Sequence, residues 1–518
     1  MRNTFCTLDE IVFEKTPQIL LIYLEMEFAG NNVAFDFQSK GIYLRPVLGM
    51  QYLVGVARDI GVEAVVIDNR IHSFDEKMLA KFIETYNIQL VGFYTSFAHT
   101  DVNSRFVINL KKLTDVPVIA GGPGYTEHEQ LLQAGVDVVV RGEGEETFKE
   151  LIQRVQKGGK RDWSDIDGIN YIENSDFISS PDRQLLDPND ISFPVRDNLF
   201  SPFVYTDFVL PGARSPYITM FTNRGCPHLC TFCDSPNVWS NTVRHRTPDN
   251  VLAEIDYAIN QWGVRFIDMV DDVFGIDPKW VEEFCTKLIE RKYDLKYKIL
   301  MNPHTFGDKQ KKIVKLLAQS GCNNVGIGMQ SAELKTIFAI KRKSDTPDRL
   351  ISSIKACKEN GMLTFVSFIV GFPTDSKDAA DNIISLVKKA KPTVIDCYPL
   401  VFLKGTELEQ SLSKGDVLES HTYKKRFSDA KKVRRSFYLS PTNVLTFLFW
   451  LLKNNPGWLI YMSTKMIYLI RFVIGKKEDL IKATDNKKRV KEILERKIYE
   501  KHFKELHEYI GEGVKEKV

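Results

Sequence analysis

The chain is poor in the features that mark several common protein classes. Eight cysteines are scattered over 518 residues, too few and too dispersed for a disulfide-stapled secreted fold. No run of about 20 apolar residues occurs, so no segment is predicted to cross a bilayer as a helix. The first residues run from Met1 into Asp9 and Glu10 with no apolar stretch of a secretion signal, so the expected compartment is the cytosol. Composition is average for a globular protein, 43% hydrophobic and 26% charged, which excludes disorder. The length exceeds what one core sustains, so two or three domains are expected. The net charge of +3 is uneven, because residues 421–518 carry about +12 and the remainder about −9.

Two stretches alternate short β-rich apolar runs with helix-period segments, the pattern of parallel α/β sheets. In the first, strands are predicted at Ile19 to Glu25, Glu63 to Asp68, Leu90 to Thr95, Pro117 to Ala120 and Asp137 to Val140. These make a doubly wound, flavodoxin-like domain over residues 1–158. Its strand ends carry Thr95-Ser96, Gly121-Gly122-Pro123-Gly124 and Gly142-Glu143-Gly144-Glu145, where backbone can approach a ligand closely. Residues 159–214 read as a linker containing a hairpin near Gly168 to Ser175, then a proline-punctuated stretch.

In the second stretch, residues 215–405, strands are predicted at Tyr217 to Thr222, Phe266 to Val270, Tyr297 to Met301, Val325 to Met329, Thr364 to Val370 and Val394 to Tyr398. Six such units form a partial (β/α)6 barrel, whose functional groups gather at the strands' C-terminal ends. Cys226, Cys230 and Cys233, Asp271-Asp272, Gln330-Ser331 and Gly371-Phe372-Pro373 all fall on that rim. Residues 406–518 are expected to form a basic, partly apolar α-helical extension.

The cysteines stand at Cys226-x3-Cys230-x2-Cys233, and the other five, Cys6, Cys285, Cys322, Cys357 and Cys397, read as buried small hydrophobes. Three thiolates can hold three irons of a cubane cluster and leave the fourth iron open, whereas full protein ligation would take four. The competing reading is a zinc knuckle completed by a distant ligand such as His228 or His245. Asp271-Asp272 also reads as a strand-end or helix-capping pair, and Arg244 and Arg246 as solvated surface.

With Phe232 as the aromatic before the third cysteine, the triplet resembles the C-x3-C-x-aromatic-C signature of the radical S-adenosylmethionine superfamily, over about residues 215–405. The resemblance implies a 4Fe-4S cluster held by Cys226, Cys230 and Cys233 and S-adenosylmethionine chelated to the open iron. It further implies reductive cleavage to a 5'-deoxyadenosyl radical and an electron donor such as ferredoxin or flavodoxin. By context it places Phe232, Asp271, Asp272, Gln330, Ser331 and Gly371 around S-adenosylmethionine. Two positions depart from the family pattern: Gln330-Ser331 stands where Glu-Ser is frequent, and Gly371-Phe372-Pro373-Thr374-Asp375 replaces a glycine-proline-glycine-glutamate-like turn. No side chain is identified as catalytic beyond the cluster and cofactors.

The first domain resembles the cobalamin-binding domain fused ahead of many radical enzymes, which implies a corrinoid near Thr95, Ser96, Gly121, Gly122, Pro123, Gly142, Glu143 and Gly144. No Asp-x-His-x-x-Gly follows the first strand, where Glu25 to Gly30 stand instead, so no histidine there can ligate cobalt. The fusion implies methylation of an unactivated carbon of a hydrophobic small molecule or lipid. The alternatives are radical cyclisation or rearrangement of a lipid or tetrapyrrole and, from another class, a non-catalytic corrinoid or metal sensor. In the tail, Leu445 to Leu452 and Trp458 to Met462 are flanked by basic clusters. They suit peripheral contact with anionic lipid or a helical cap over the barrel, and no nucleic-acid-reading module is recognisable.

Overall fold

The computed structural model describes residues 6–8, 11, 13, 15–25, 45–158, 162–196, 216–305, 311–413 and 423–438. It divides into two compact units, Met1–Ala430 and Lys431–Val518, and both sheets lie in the first. The apolar, basic segments from Leu445 onward and residues 26–30 lie outside the described residues. Among the described residues no helix is long and apolar enough to cross a membrane.

The first sheet contains β1 (Ile19–Tyr23), β2 (Ala64–Asp68), β3 (Leu90–Tyr94), β4 (Val118–Gly121) and β5 (Val138–Val140). They pair in parallel in the order 2-1-3-4-5, which is the doubly wound topology. Every residue of β1 and β2 is buried, as expected of parallel strands with helices on both faces. The covering helices are α1 (Leu48–Asp59), α2 (Glu76–Tyr86), α3 (Thr100–Leu110), α4 (His128–Gln133) and α5 (Glu145–Lys157). Asp75 shows why α2 starts where it does: its carboxylate accepts from Met78 N at 2.8 Å, satisfying a first-turn amide. The hairpin expected in the linker is present as β6 (Ile169–Glu173) and β7 (Asp176–Ser179), and it extends this sheet by two antiparallel strands.

The second sheet contains β8 (Tyr217–Met220), β9 (Phe266–Met269), β10 (Lys296–Met301), β11 (Cys322–Gln330), β12 (Leu363–Val370) and β13 (Val394–Pro399), all parallel and in sequence order. The helices between them include α6 (Pro248–Trp262), α7 (Pro278–Glu290), α8 (Lys311–Gln319), α9 (Leu334–Ala339), α10 (Pro347–Glu359) and α11 (Ala379–Ala390). Thr247 caps α6 through Asn250 N, Pro248 opens its first turn, and Gly263 closes it in the left-handed conformation. This is a six-unit partial barrel.

Burial distinguishes the two sheets. Along β10 and β12 buried and half-buried residues alternate. Tyr297 belongs to the buried set and packs against Phe284 of α7. Lys298, Leu300, Phe365, Ser367 and Ile369 therefore point to the opposite, concave face, which is less filled. Cys285, Cys322, Cys357 and Cys397 are buried, as expected of small apolar fillers.

Candidate functional site

The triplet lies at the tip of a short ribbon after β8, in which Asn223–Arg224 pair antiparallel with Arg244–His245. Gly225 starts the tip at φ 93°, and a Cβ there would stand 2.1 Å from the Thr242 carbonyl oxygen. Only glycine permits that crossing. Cys233 N donates to the Cys230 carbonyl at 3.1 Å, and Ser235 N reaches the Cys233 sulfur at 3.5 Å. Burial pushes the Cys226 thiol up to about 11 and the Cys233 thiol up to about 12, with the neighbouring cysteines and Asp272 adding to the effect. Free thiols here hold their protons, so iron must displace them on binding. Among the described residues no three Cys, His, Asp or Glu are gathered as ligands of one metal ion. Three thiols on one loop, one fewer than full protein ligation of a cubane requires, are a donor set that fits a cluster with one open iron.

The other rim residues divide into those that shape loops and those that face outward. Asp271 is buried, and both its oxygens are engaged: Oδ1 accepts from Thr222 N at 2.6 Å and Asn223 N at 3.0 Å, Oδ2 from Thr222 Oγ1 at 2.7 Å. It latches the strand end that leads into the cysteine loop, and burial lifts its carboxyl to about 7. Asp272 is exposed and accepts from Ser235 Oγ, two residues beyond Cys233. Ser331 is buried and its hydroxyl accepts from Glu333 N, at the start of α9. Gln330 has φ 68° at a register shift in β11, leaving its side chain half-buried on the rim. Gly371 has φ 98° and donates to Asp375 Oδ2 at 2.8 Å, as does Phe372 N at 3.1 Å, so Asp375 closes this turn. Phe232 packs edge-on against Phe372, with centroids 5.4 Å apart. The aromatic of the cysteine motif thus anchors its loop to the fifth strand of the barrel.

A group that the sequence reading missed stands beside the cysteines. Arg342, after α9, directs Nη1 to the Cys230 sulfur at 3.7 Å and pairs with Asp345 at 2.5 Å. In sequence it sits within Lys341-Arg342-Lys343, a basic run that reads as surface, and no local signal sets it apart.

On the first sheet, Thr95 and Ser96 follow β3 and lie against the glycine loop after β4. A Cβ on Gly122 would stand 2.6 Å from the Thr95 carbonyl oxygen, and one on Gly124 about as close to the Ser96 backbone. Those glycines serve close packing of two rim loops. The Ser96 hydroxyl shares a 2.6 Å hydrogen bond with His99 Nδ1, and burial lowers the His99 pKa to about 3, so the ring is neutral. Thr95 Oγ1, His99 Nε2, Asn103 Oδ1 and Ser104 Oγ are buried without a hydrogen-bond partner. Buried polar atoms are rarely left so, and four between the end of β3 and the first turns of α3 fit a polar ligand.

The Gly142 to Glu145 loop makes ion pairs that the sequence did not signal. Glu143 accepts from Arg224 at 3.0 Å and from Arg244 at 2.9 Å, and Glu145 accepts from Arg224 at 2.5 Å. Against the push of burial, Arg244 and Arg224 hold the Glu143 carboxyl below the usual range. The loop expected beside a corrinoid is thus tied to the ribbon that carries the cysteines. Nearby, Tyr125 Oη donates to the Asn237 carbonyl at 2.7 Å, and a Cβ on Gly142 would lie 3.7 Å from the Val238 carbonyl oxygen. The rims of the two sheets therefore abut through the short helix Ser235–Trp239, just past the third cysteine.

Comparison with known proteins finds a family match within each of the two domains. Residues 43–152 match the B12 binding domain family and residues 220–387 the radical SAM superfamily. An uncharacterized methyltransferase of Pyrococcus horikoshii is 28% identical over 73% of this chain and 81% of its own length. The anaerobic magnesium-protoporphyrin IX monomethyl ester cyclase of Rubrivivax gelatinosus is 24% identical over 79% of this chain and 72% of its own. Among solved structures, TsrM from Kitasatospora setae, a radical S-adenosylmethionine methyltransferase with cobalamin and a 4Fe-4S cluster bound, superposes with a TM-score of 0.59. That match is at 18% identity and covers 77% of this chain and 75% of TsrM.

Proposed function

Because the chain carries a B12-binding domain followed by a radical SAM domain, we propose that it methylates an unactivated carbon of a hydrophobic small molecule or lipid, using a 4Fe-4S cluster, S-adenosylmethionine and cobalamin. The observation that carries this reading is the abutment of the two rims, with Tyr125 on Asn237 and Glu143 on Arg224 and Arg244. When bound, these groups supply a substrate radical and a transferable methyl group. Cys226, Cys230 and Cys233 would hold the cluster. Gln330, half-buried on the rim, and the exposed Asp272 are the best placed of the expected set to meet S-adenosylmethionine, while Asp271, Ser331 and Gly371 shape the loops around it. Thr95, with Asn103 and Ser104 beside it, would meet the polar tail of a corrinoid.

The concave face of the second sheet, lined by Leu300, Phe365 and Ile369 with Lys298 and Ser367, would take the substrate. It offers apolar area with a few polar groups to orient a bound molecule. An external reductant such as ferredoxin or flavodoxin and a lipid-surface contact by the C-terminal extension complete the proposal. The domain limits also belong to it, with the first domain extended through β7. The similarity to the Rubrivivax cyclase favours a second reading, radical cyclisation on the same scaffold.

The test is a comparison of extracts from cells with and without the protein, joined to the visible spectrum of anaerobically purified chain. A corrinoid spectrum and a metabolite that gains one methyl group are expected. A new ring without added carbon would favour cyclisation, and a corrinoid-free chain would remove the methyl-transfer reading.

A further inference from the structure

We propose that Arg342 is a positioning residue that tunes the cluster, by donating to the Cys230 thiolate and holding positive charge against the iron-sulfur core. The proposal rests on the triplet being a cluster site. Nη1 lies 3.7 Å from the Cys230 sulfur, and the Arg342 side chain is only 8% exposed. Three acceptors outside the cysteine loop fix the guanidinium. Nη2 donates to Asn302 Oδ1 at 2.8 Å and to the Gly328 carbonyl at 2.6 Å, and it pairs with Asp345 at 2.5 Å.

Asp345 is itself buried and braced from the other side by His304 Nδ1 at 2.6 Å. The His304 ring meets His228 edge-on, with centroids 5.3 Å apart, and His228 lies between the first two cysteines. A chain of contacts thus leaves the cysteine loop at Cys230, runs through Arg342, Asp345 and His304, and returns to the loop at His228. The contributing segments are β11 and the loops after β8, β10 and α9, so several parts of the barrel aim this one cation. An arginine needed only to neutralise Asp345 would not require acceptors on two further strand ends.

The physical effect has a definite sign. Reduction adds a negative charge to the cluster, and a cation donating to one of its thiolates stabilises the more negative state, so Arg342 raises the reduction potential. Asp345 offsets part of this from farther away, because the guanidinium stands between it and the sulfur.

The experiment uses the full chain, reconstituted anaerobically with iron and sulfide, as wild type, Arg342→Gln and Arg342→Lys. Iron and sulfide content establish loading, and an electron-paramagnetic-resonance redox titration gives the midpoint. In Arg342→Gln the ratio of reduced to oxidised cluster at a fixed poise is expected to fall about tenfold, ~59 mV for a one-electron couple. Arg342→Lys should recover most of that shift. If Arg342→Gln fails to load, a smaller shift of the same sign in Arg342→Lys supports the proposal. Equal midpoints in fully loaded wild type and variants would overturn it. A wild-type chain that takes up no cluster would instead remove the reading on which the proposal rests, a result visible before any variant is made.

Discussion

The two rims differ in what their polar groups do. On the second sheet Asp271 latches Thr222 and Asn223, Asp375 closes the Gly371 turn, and Arg342 is held by three acceptors, even though Asn223 Oδ1 and Arg342 Nε are buried without a partner. On the first sheet the buried hydroxyls of Thr95 and Ser104 have no hydrogen-bond partner, and His99 and Asn103, each held through one atom, leave the other unmatched. A rim that holds a reactive metal group needs its loops fixed before the group arrives. A rim that cradles a large polar cofactor can leave its hydrogen bonds to the ligand.

The largest expected effect comes from the second rim. Cys230→Ala should abolish cluster content and S-adenosylmethionine cleavage while the chain stays soluble, as measured by iron assay and 5'-deoxyadenosine formation. Cleavage retained by that variant would remove the cluster assignment. Next is the joint between the rims. Arg224→Met leaves Glu145 buried without its cation and Glu143 with Arg244 alone, which is expected to cost about 3–5 kcal/mol in denaturant unfolding of the apoprotein. A loss under about 1 kcal/mol would mean that solvent reaches this joint.

A third test uses pH. Asp271 keeps its proton in the fold up to about pH 7, whereas an unfolded carboxyl loses it near 3.8. Its contribution to stability is therefore complete below about pH 4 and declines by ~1.4 kcal/mol per unit as pH rises towards 7. Asp271→Asn keeps the acceptor for both amides and should flatten that decline, which thermal unfolding of the apoprotein at pH 5 and pH 8 will show. The smallest effect on the fold belongs to Thr95→Val. It removes a buried hydroxyl that has no partner, so stability should hold or rise by up to about 1 kcal/mol while corrinoid affinity falls.

Much of this architecture could be read from the chain. Runs such as Ile19-Leu20-Leu21-Ile22 and Val138-Val139-Val140 are short, apolar and bounded by turn residues, so eleven parallel strands and their order of appearance were legible. So was the triplet, because its spacing is local. The roles of the rim carboxylates were not. A carboxylate after a strand end can hold a cofactor or latch the adjacent loop, and only the position of Thr222 and Asn223 decides which Asp271 does. Glu143 is similar: it stands in a glycine-rich loop that suits a ligand, yet its partners Arg224 and Arg244 lie 81 and 101 residues on. Arg342 is the extreme case, since its meaning depends on a sulfur 112 residues away. The hairpin at Ile169–Ser179 was visible as a hairpin, but nothing local revealed that it would pair with Val138–Val140.

The central claim is that one chain joins a radical-generating cluster to a corrinoid across the abutting rims. It is tested most directly by incubating anaerobically reconstituted, cobalamin-loaded chain with S-adenosylmethionine and a strong reductant, then quantifying both 5'-deoxyadenosine and S-adenosylhomocysteine. The account predicts both products, the first lost in Cys230→Ala and the second lost when cobalamin is omitted. A fully loaded chain that binds both groups yet forms neither product would contradict it.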